Sequence, residues 1–215
     1  MNAGWLARWV MGAAIVGALV LAAAATSAPT ASPGTIFRVR PDLRMCPSPT
    51  CGGFWVSRAN RTMTCADGKA RAWCHVLEAK LPGLATVRRD ETILARGHIS
   101  TIGASPAGAV ERFVATQVWR PATRATAIGA VYLVSDNGIR CVRAPCPSLR
   151  VLTVNTTRAV NAADLDLTGA AASPSLERKA QTAIMNGGLL VAGKLQELSD
   201  VTRVVVATQF FFAAG

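Results

Sequence analysis

The chain has 215 residues, 51% of them hydrophobic and only 16% charged, with few aromatic residues and a formal net charge of +11. Such a composition excludes a disordered chain and suffices to bury a core. Arginine far outnumbers lysine, which leaves two readings open: a solvated basic surface in an arginine-rich composition, or a site for a polyanion such as a cell-envelope polymer. The arginines are scattered, never more than two in a row, and lack interleaved stacking aromatics, so nucleic acid is not an expected partner.

In chain order, Met1 to Trp9 carries one positive charge, Arg8, and Val10 to Ala25 is apolar and uncharged before the small residues AAAATSA. This is the three-part pattern of a signal peptide, expected over residues 1–27, with an apolar run shorter than the roughly 20 residues a spanning helix needs. An uncleaved membrane anchor is the alternative, and a membrane partner is expected only in that case. Residues 28–34 (APTASPG) read as a flexible tether. The mature protein is then exported, periplasmic or extracellular.

Beyond the tether the chain matches itself. Cys46, Cys51 and Asn60 recur as Cys141, Cys146 and Asn155, each 95 positions on. ILARGHIS (Ile93 to Ser100) aligns with LLVAGKLQ (Leu189 to Gln196), and VATQVW (Val114 to Trp119) with VATQFF (Val206 to Phe211). Self-similarity of this kind marks repeated structural units. The expected division is a first β-rich repeat at 35–120, a linker at 121–129 and a second β-rich repeat at 130–215.

Strand signals dominate both repeats. Ile93 to Ser100 alternates Ile, Ala, Gly, Ile with Leu, Arg, His, Ser, the period of a half-buried strand. Residues 54–57, 71–77, 112–119, 131–134, 149–154, 189–195 and 203–212 are rich in β-branched or aromatic side chains. Turn signals separate them at Pro41-Asp42, Gly52-Gly53, Asp67-Gly68, Asn137-Gly138 and Gly187-Gly188. One helix is expected near 174–186, opened by Ser173-Pro174, striped by Leu176, Ala180, Ala183 and Ile184, and stopped by Asn186-Gly187-Gly188. The matching stretch of the first repeat contains Pro82-Gly83 and is expected to be irregular. Each repeat thus reads as β-β-connection-β-β. The fold class is α+β, mainly antiparallel β, in two tandem copies of a small disulfide-stapled unit with one helix in the second.

In an oxidising compartment six cysteines imply three disulfides. Because the second repeat contains only Cys141 and Cys146, the simplest scheme closes each C-x4-C on itself, and Cys65 and Cys74 pair by elimination. Bonds crossing the repeats stay open. Metal binding is the competing reading, but no C-x2-C or H-x3-H partner exists and the only histidines are His75 and His98; no metal and no cofactor is expected. Asn60-Arg-Thr62 and Asn155-Thr-Thr157 fit the N-x-T sequon, yet a turn asparagine bonding the next backbone groups is the preferred reading.

CPSPTCGGFWVSRAN, CADGKARAWC and DNGIRCVRAPCPS resemble an uncharacterised family of exported bacterial proteins, a domain of unknown function with paired C-x4-C segments, over about Phe37 to Phe211. The resemblance implies export and disulfides, and it lends no activity. Nothing resembles GxSxG, HExxH or a P-loop, so no catalytic residue and no enzyme activity are expected. Three functions follow: an exported non-catalytic binding or structural module; an extracellular protease inhibitor using the constrained loop around Arg143; and polyanion or cell-envelope binding through a basic face. Arg40, Arg44, Arg140 and Arg143, beside the C-x4-C segments, are the candidate contacts to a ligand or to another exported protein.

Overall fold

Valine, isoleucine and aromatic side chains at alternate positions turn one face of a run toward a core, and strand is the main element of the described residues. The computed structural model describes residues 34–45, 51–105, 108–199 and 202–214. The expected signal peptide, all of the expected tether except Gly34, and Cys46 lie outside the described residues. Among the described residues fourteen strands run in order: β1 (Ile36–Pro41), β2 (Phe54–Arg58), β3 (Met63–Thr64), β4 (Ala70–Arg71), β5 (Cys74–Val76), β6 (Glu78–Lys80), β7 (Ile93–Ser105), β8 (Gly108–Pro121), β9 (Ala130–Asp136), β10 (Leu149–Thr153), β11 (Ala159–Ala162), β12 (Asp164–Asp166), β13 (Leu189–Ser199) and β14 (Thr202–Ala213). One helix, α1 (Pro174–Met185), lies between β12 and β13.

The main sheet has the order β11-β10-β9-β13-β14-β8-β7-β1-β2-β5, antiparallel along that path. Two short strands leave the path: β6 runs parallel to β8 and β12 parallel to β14. The chain from β5 to β6 is broken only at Leu77, whose N–H donates to Glu111 O at 2.9 Å. Since β5 pairs with β2 and β6 with β8, this run closes β2-β1-β7-β8 into a small barrel. Ala163 N–H donates to Arg203 O in the same way at 2.8 Å, and β11 and β12 close β10-β9-β13-β14. These bridging strands are a fifth component of each ring that a β-β-connection-β-β pattern omits.

Each ring has its own core. Phe37, Val39, Val56, Val76, Ile93 and Phe113 pack in the first, and Val134, Val151, Leu189, Val191, Val205 and Phe210 in the second. The helix lays Ala180 and Ile184 into the second core with Leu176 and Ala183 beside them, and Ser173 caps it by accepting from Leu176 N–H. Over the first core the irregular stretch before β7 delivers Leu81, Leu84 and Val87 to the same task. Ile93–Ser105 departs from the expected half-buried strand. Leu94 is as buried as Ile93 and Ala95, because its face meets a third cluster drawn from both rings: Ile36, Ala59 and Leu94 against Val131, Val154, Leu190 and Phe211. A bulge then follows at Arg96/Gly97, matched at Ala192/Gly193. Glycine is required at both bulges, since a Cβ would strike the carbonyl oxygen of Val114 or of Val206.

The rings join at two places. Strands β8 and β14 pair through Pro121↔Phe211 and Trp119↔Ala213, flanked by Ala122 N–H to Phe210 O and Ala214 N–H to Val118 O, both 2.8 Å. Residues 122–125 fold over this seam onto the buried Gln209, whose Nε2 donates to the carbonyl oxygens of Thr123 and Ala125. The second junction is a reciprocal asparagine pair. Asn60 Nδ2 donates to Val131 O (2.7 Å) and Val154 O (3.0 Å), and its Oδ1 accepts from Val131 N–H (2.7 Å). Asn155 Nδ2 donates to Ile36 O (2.8 Å) and Ala59 O (2.9 Å), and its Oδ1 accepts from Ile36 N–H (2.9 Å). Both sit in the left-handed region, φ 62° and 60°, which asparagine tolerates better than most residues. They are turn residues, but their side chains bond the opposite ring instead of their own next backbone groups. The described residues accordingly form one compact unit.

Removing either amide strands backbone groups between the rings. Asn60→Ala and Asn155→Ala should each lower the unfolding free energy by about 2 to 4 kcal/mol, the cost of two unsatisfied backbone groups. Urea denaturation measures it, and Asn60→Gly, which is free of the left-handed penalty, should recover only a small part of the loss.

Candidate functional site

The chemistry concentrates at one place, where β2, β5 and the start of β8 meet the β3–β4 hairpin. The Cys65–Cys74 disulfide, with Cα atoms 5.2 Å apart, ties that hairpin to β5. Asp67-Gly68 makes its turn, with Gly68 at φ 75°. The tie also breaks the strand expected over 71–77 into β4 and β5. Among the described residues a second disulfide joins Cys141 to Cys146, and no described cysteine is free. Cys51 is buried and disulfide-bonded, while its expected partner Cys46 lies outside the described residues.

On the outer face of the β2–β5 pair Trp55 stands opposite His75, their rings 5.6 Å apart and edge to face. His75 Nε2 lies 2.6 Å from Gly52 O; a carbonyl only accepts, so Nε2 carries the proton and donates. Beneath them the Asp42 side chain is fully buried. It accepts from the Arg44 backbone N–H at 3.1 Å and from its guanidinium at 2.8 to 3.0 Å, and lies 3.5 Å from His75 Nε2. The Arg44 bonds hold the Asp42 carboxyl down at about 2. Arg44 lies over the Trp55 ring at 4.7 Å and Arg40 over Trp73 at 4.4 Å, both stacked guanidiniums.

Arg44, Trp55, Trp73 and His75 border a cleft of about 270 Å³, whose remaining wall includes Arg71, Leu77 and Glu111. Arg71 is paired with Asp67 at 2.6 Å. Glu111 Oε2 is buried without a hydrogen-bond partner, and that burial pushes its carboxyl up. The corresponding places of the second ring are different. Arg150↔Asn161 replaces the pair Trp55↔His75, and Arg203 replaces Glu111 as the residue whose carbonyl receives the bridging N–H.

Of the four arginines singled out in the sequence, the structure brings Arg40 and Arg44 together beside this cleft, both lining a shallow recess with Arg89. Arg140 lies in a different recess, between the second C-x4-C segment and α1, where Asp136 binds it at 2.6 Å. Arg143 is exposed within the Cys141–Cys146 loop. Two of the four, Arg44 and Arg140, therefore have a carboxylate partner. Sequence reasoning weighed His75 only as a metal ligand and passed over Trp55, Trp73 and Glu111, because no motif joins them; the available signal was that the two repeats disagree at Trp55/Arg150. Among the described residues no three His, Cys, Asp or Glu side chains group as metal ligands, and no helix is long and apolar enough to cross a membrane.

Fold and site together define a mainly antiparallel β domain held by disulfides, with an aromatic and charged cleft at one end. The chain belongs to a family described as a domain of unknown function (DUF6748), whose model matches residues 35–214. No curated protein and no solved structure matches it.

The Asp42 environment sets a pH dependence. Its folded carboxyl titrates near 2, below the ordinary value of about 3.9, so the stabilisation is complete above about pH 5 and is lost as the pH falls through 2. Asp42→Asn should flatten part of the fall in stability between pH 4 and 2. Urea midpoints across that range test it; an unchanged slope would mean Asp42 is not the group lost.

Proposed function

We propose that the chain is an exported, non-catalytic binding module, built from a duplicated disulfide-stapled β unit whose first copy has acquired a ligand cleft. The recurrence of the strand pairings, the bulge glycines and the asparagine junction in both rings supports duplication. Disulfides, together with the signal-peptide pattern of residues 1–27, support export. The observation that carries the binding reading is the cleft itself: Trp55 and Trp73 held by Arg44 and Arg40 beside Glu111, where the second ring keeps the scaffold and changes the chemistry. Non-catalysis is supported by the engagement of His75 with Gly52 O and by disulfide-bonded cysteines.

A thermal-shift scan of cell-envelope glycans, peptides and polyanions against the parent and Trp73→Ala tests this. A ligand at about 100 times its Kd should raise the parent Tm by roughly 5 to 10 °C, from about 2.7 kcal/mol of linkage, and leave the variant unmoved. Equal shifts in both proteins would remove the cleft from the binding site.

Protease inhibition is a second reading, favoured by the exposure of Val142 to Pro145 inside the Cys141–Cys146 loop. It predicts that the parent inhibits a trypsin-like protease and that Arg143→Ala weakens this by about 30-fold or more, the size of a hot-spot truncation. A parent without inhibitory activity ends that reading. A polyanion face would rest on Arg40 and Arg143, because Arg44 and Arg140 are bound by Asp42 and Asp136.

A further inference from the structure

The charges around the cleft do not balance. Its lining contains two arginines, and each has its own carboxylate: Arg71 with Asp67 and Arg44 with Asp42. Glu111 has none. It lies two residues before the core residue Phe113 on β8 and shares that residue's face of the strand, which brings its carboxylate to the mouth of the first barrel. A buried oxygen without a donor is destabilising until a donor arrives. The two arginines of the lining are committed to Asp42 and Asp67.

The other walls suit the same guest. Trp55 and Trp73 already hold a guanidinium each over a ring face, so the ring quadrupoles at this site are engaged with positive charge. A volume of about 270 Å³ falls below the roughly 300 to 1,000 Å³ of sites for drug-sized molecules, and admits a side chain or short amine instead. We propose that this cleft binds an alkylammonium group, with Glu111 as counter-ion and hydrogen-bond acceptor and Trp55 and Trp73 as walls. The inference rests on the cleft being the ligand site and names the chemistry it selects, which is opposite in sign to the partner that a net charge of +11 invites. In the second ring Arg203 stands in place of Glu111, so only the first ring selects a cation. An alkylammonium can be a free amine or the lysine side chain of a partner protein, and the same site receives both.

The experiment is a tryptophan-fluorescence titration of the folded, disulfide-bonded protein with n-butylammonium, n-butanol and butyrate, which share a chain and differ in charge. Butylammonium should give a saturable change with a Kd at least tenfold below that of butanol, and butyrate none. Glu111→Gln should lose that preference while keeping or raising Tm, because it removes a buried charge; the comparison among the three probes on the parent stands even where the variant does not fold. Cadaverine against Nα-acetyl-lysine amide then separates the sources, the tighter of the two naming a free diamine or a protein side chain. Butanol or butyrate binding as tightly as butylammonium overturns the proposal; if that binding is lost in Trp73→Ala, the cleft reading survives and only the choice of a cation falls. No saturable response to any of the three also overturns it, and the cleft reading is then decided by its own ligand scan.

Discussion

Ile36, the first residue of β1, and Val131, the second of β9, each turn both of their backbone groups toward an asparagine of the other barrel. An amide side chain presents a donor and an acceptor at the spacing of a peptide group, so Asn60 and Asn155 act as one-residue strands across the junction. The geometry demands a positive φ at both positions, which places the side chain over the opposite ring. The apolar cluster of Ile36, Ala59, Leu94, Val131, Val154, Leu190 and Phe211 is what those bonds enclose. Without them the N–H groups of Ile36 and Val131 and the carbonyls of Ala59 and Val154 would face that cluster unsatisfied.

That junction is separate from the chemistry that distinguishes the two rings. The residues that hold the rings together sit at the seam and at the asparagine turns, and the residues that differ sit on the far side of β2 and β10. Trp55 faces away from the core in the first ring, as Arg150 does in the second, and β2 and β10 keep Val56 and Val151 inside. Substituting an outward position leaves barrel closure untouched. The Cys65–Cys74 bond adds what the second ring lacks, a hairpin fixed over the mouth of the cleft.

Much of the fold was legible because strands with β-branched residues at alternate positions and a helix with a 3.6-residue stripe advertise themselves. Ala180 and Ile184 land in the core as the stripe requires. The bridging strands of the second ring were not legible: AVNA and DLD have little strand propensity, and they pair because β10 and β14 offer backbone partners at the right distance, which is a tertiary fact. Leu94 was misread as the exposed face of an alternating strand, since nothing local distinguishes a solvent face from one buried against a second ring. For the site, charge alone pointed to Arg40 and Arg44. Their partners Trp73 and Trp55 come from other strands, and Asp42, two residues from Arg44, neutralises it. Glu111 lies in a strand where a carboxylate looks ordinary until its neighbours are known.

The seam between the barrels is formed by β14, the last strand of the described chain, against β8. During synthesis, therefore, the first barrel emerges with Leu94 and Trp119 still uncovered, and Ile36 waits for a partner 119 residues away. No stretch short of the whole can bury these groups. The third cluster is therefore complete only when both rings are present, which makes the contacts between the rings the long-range, late-forming part of the fold.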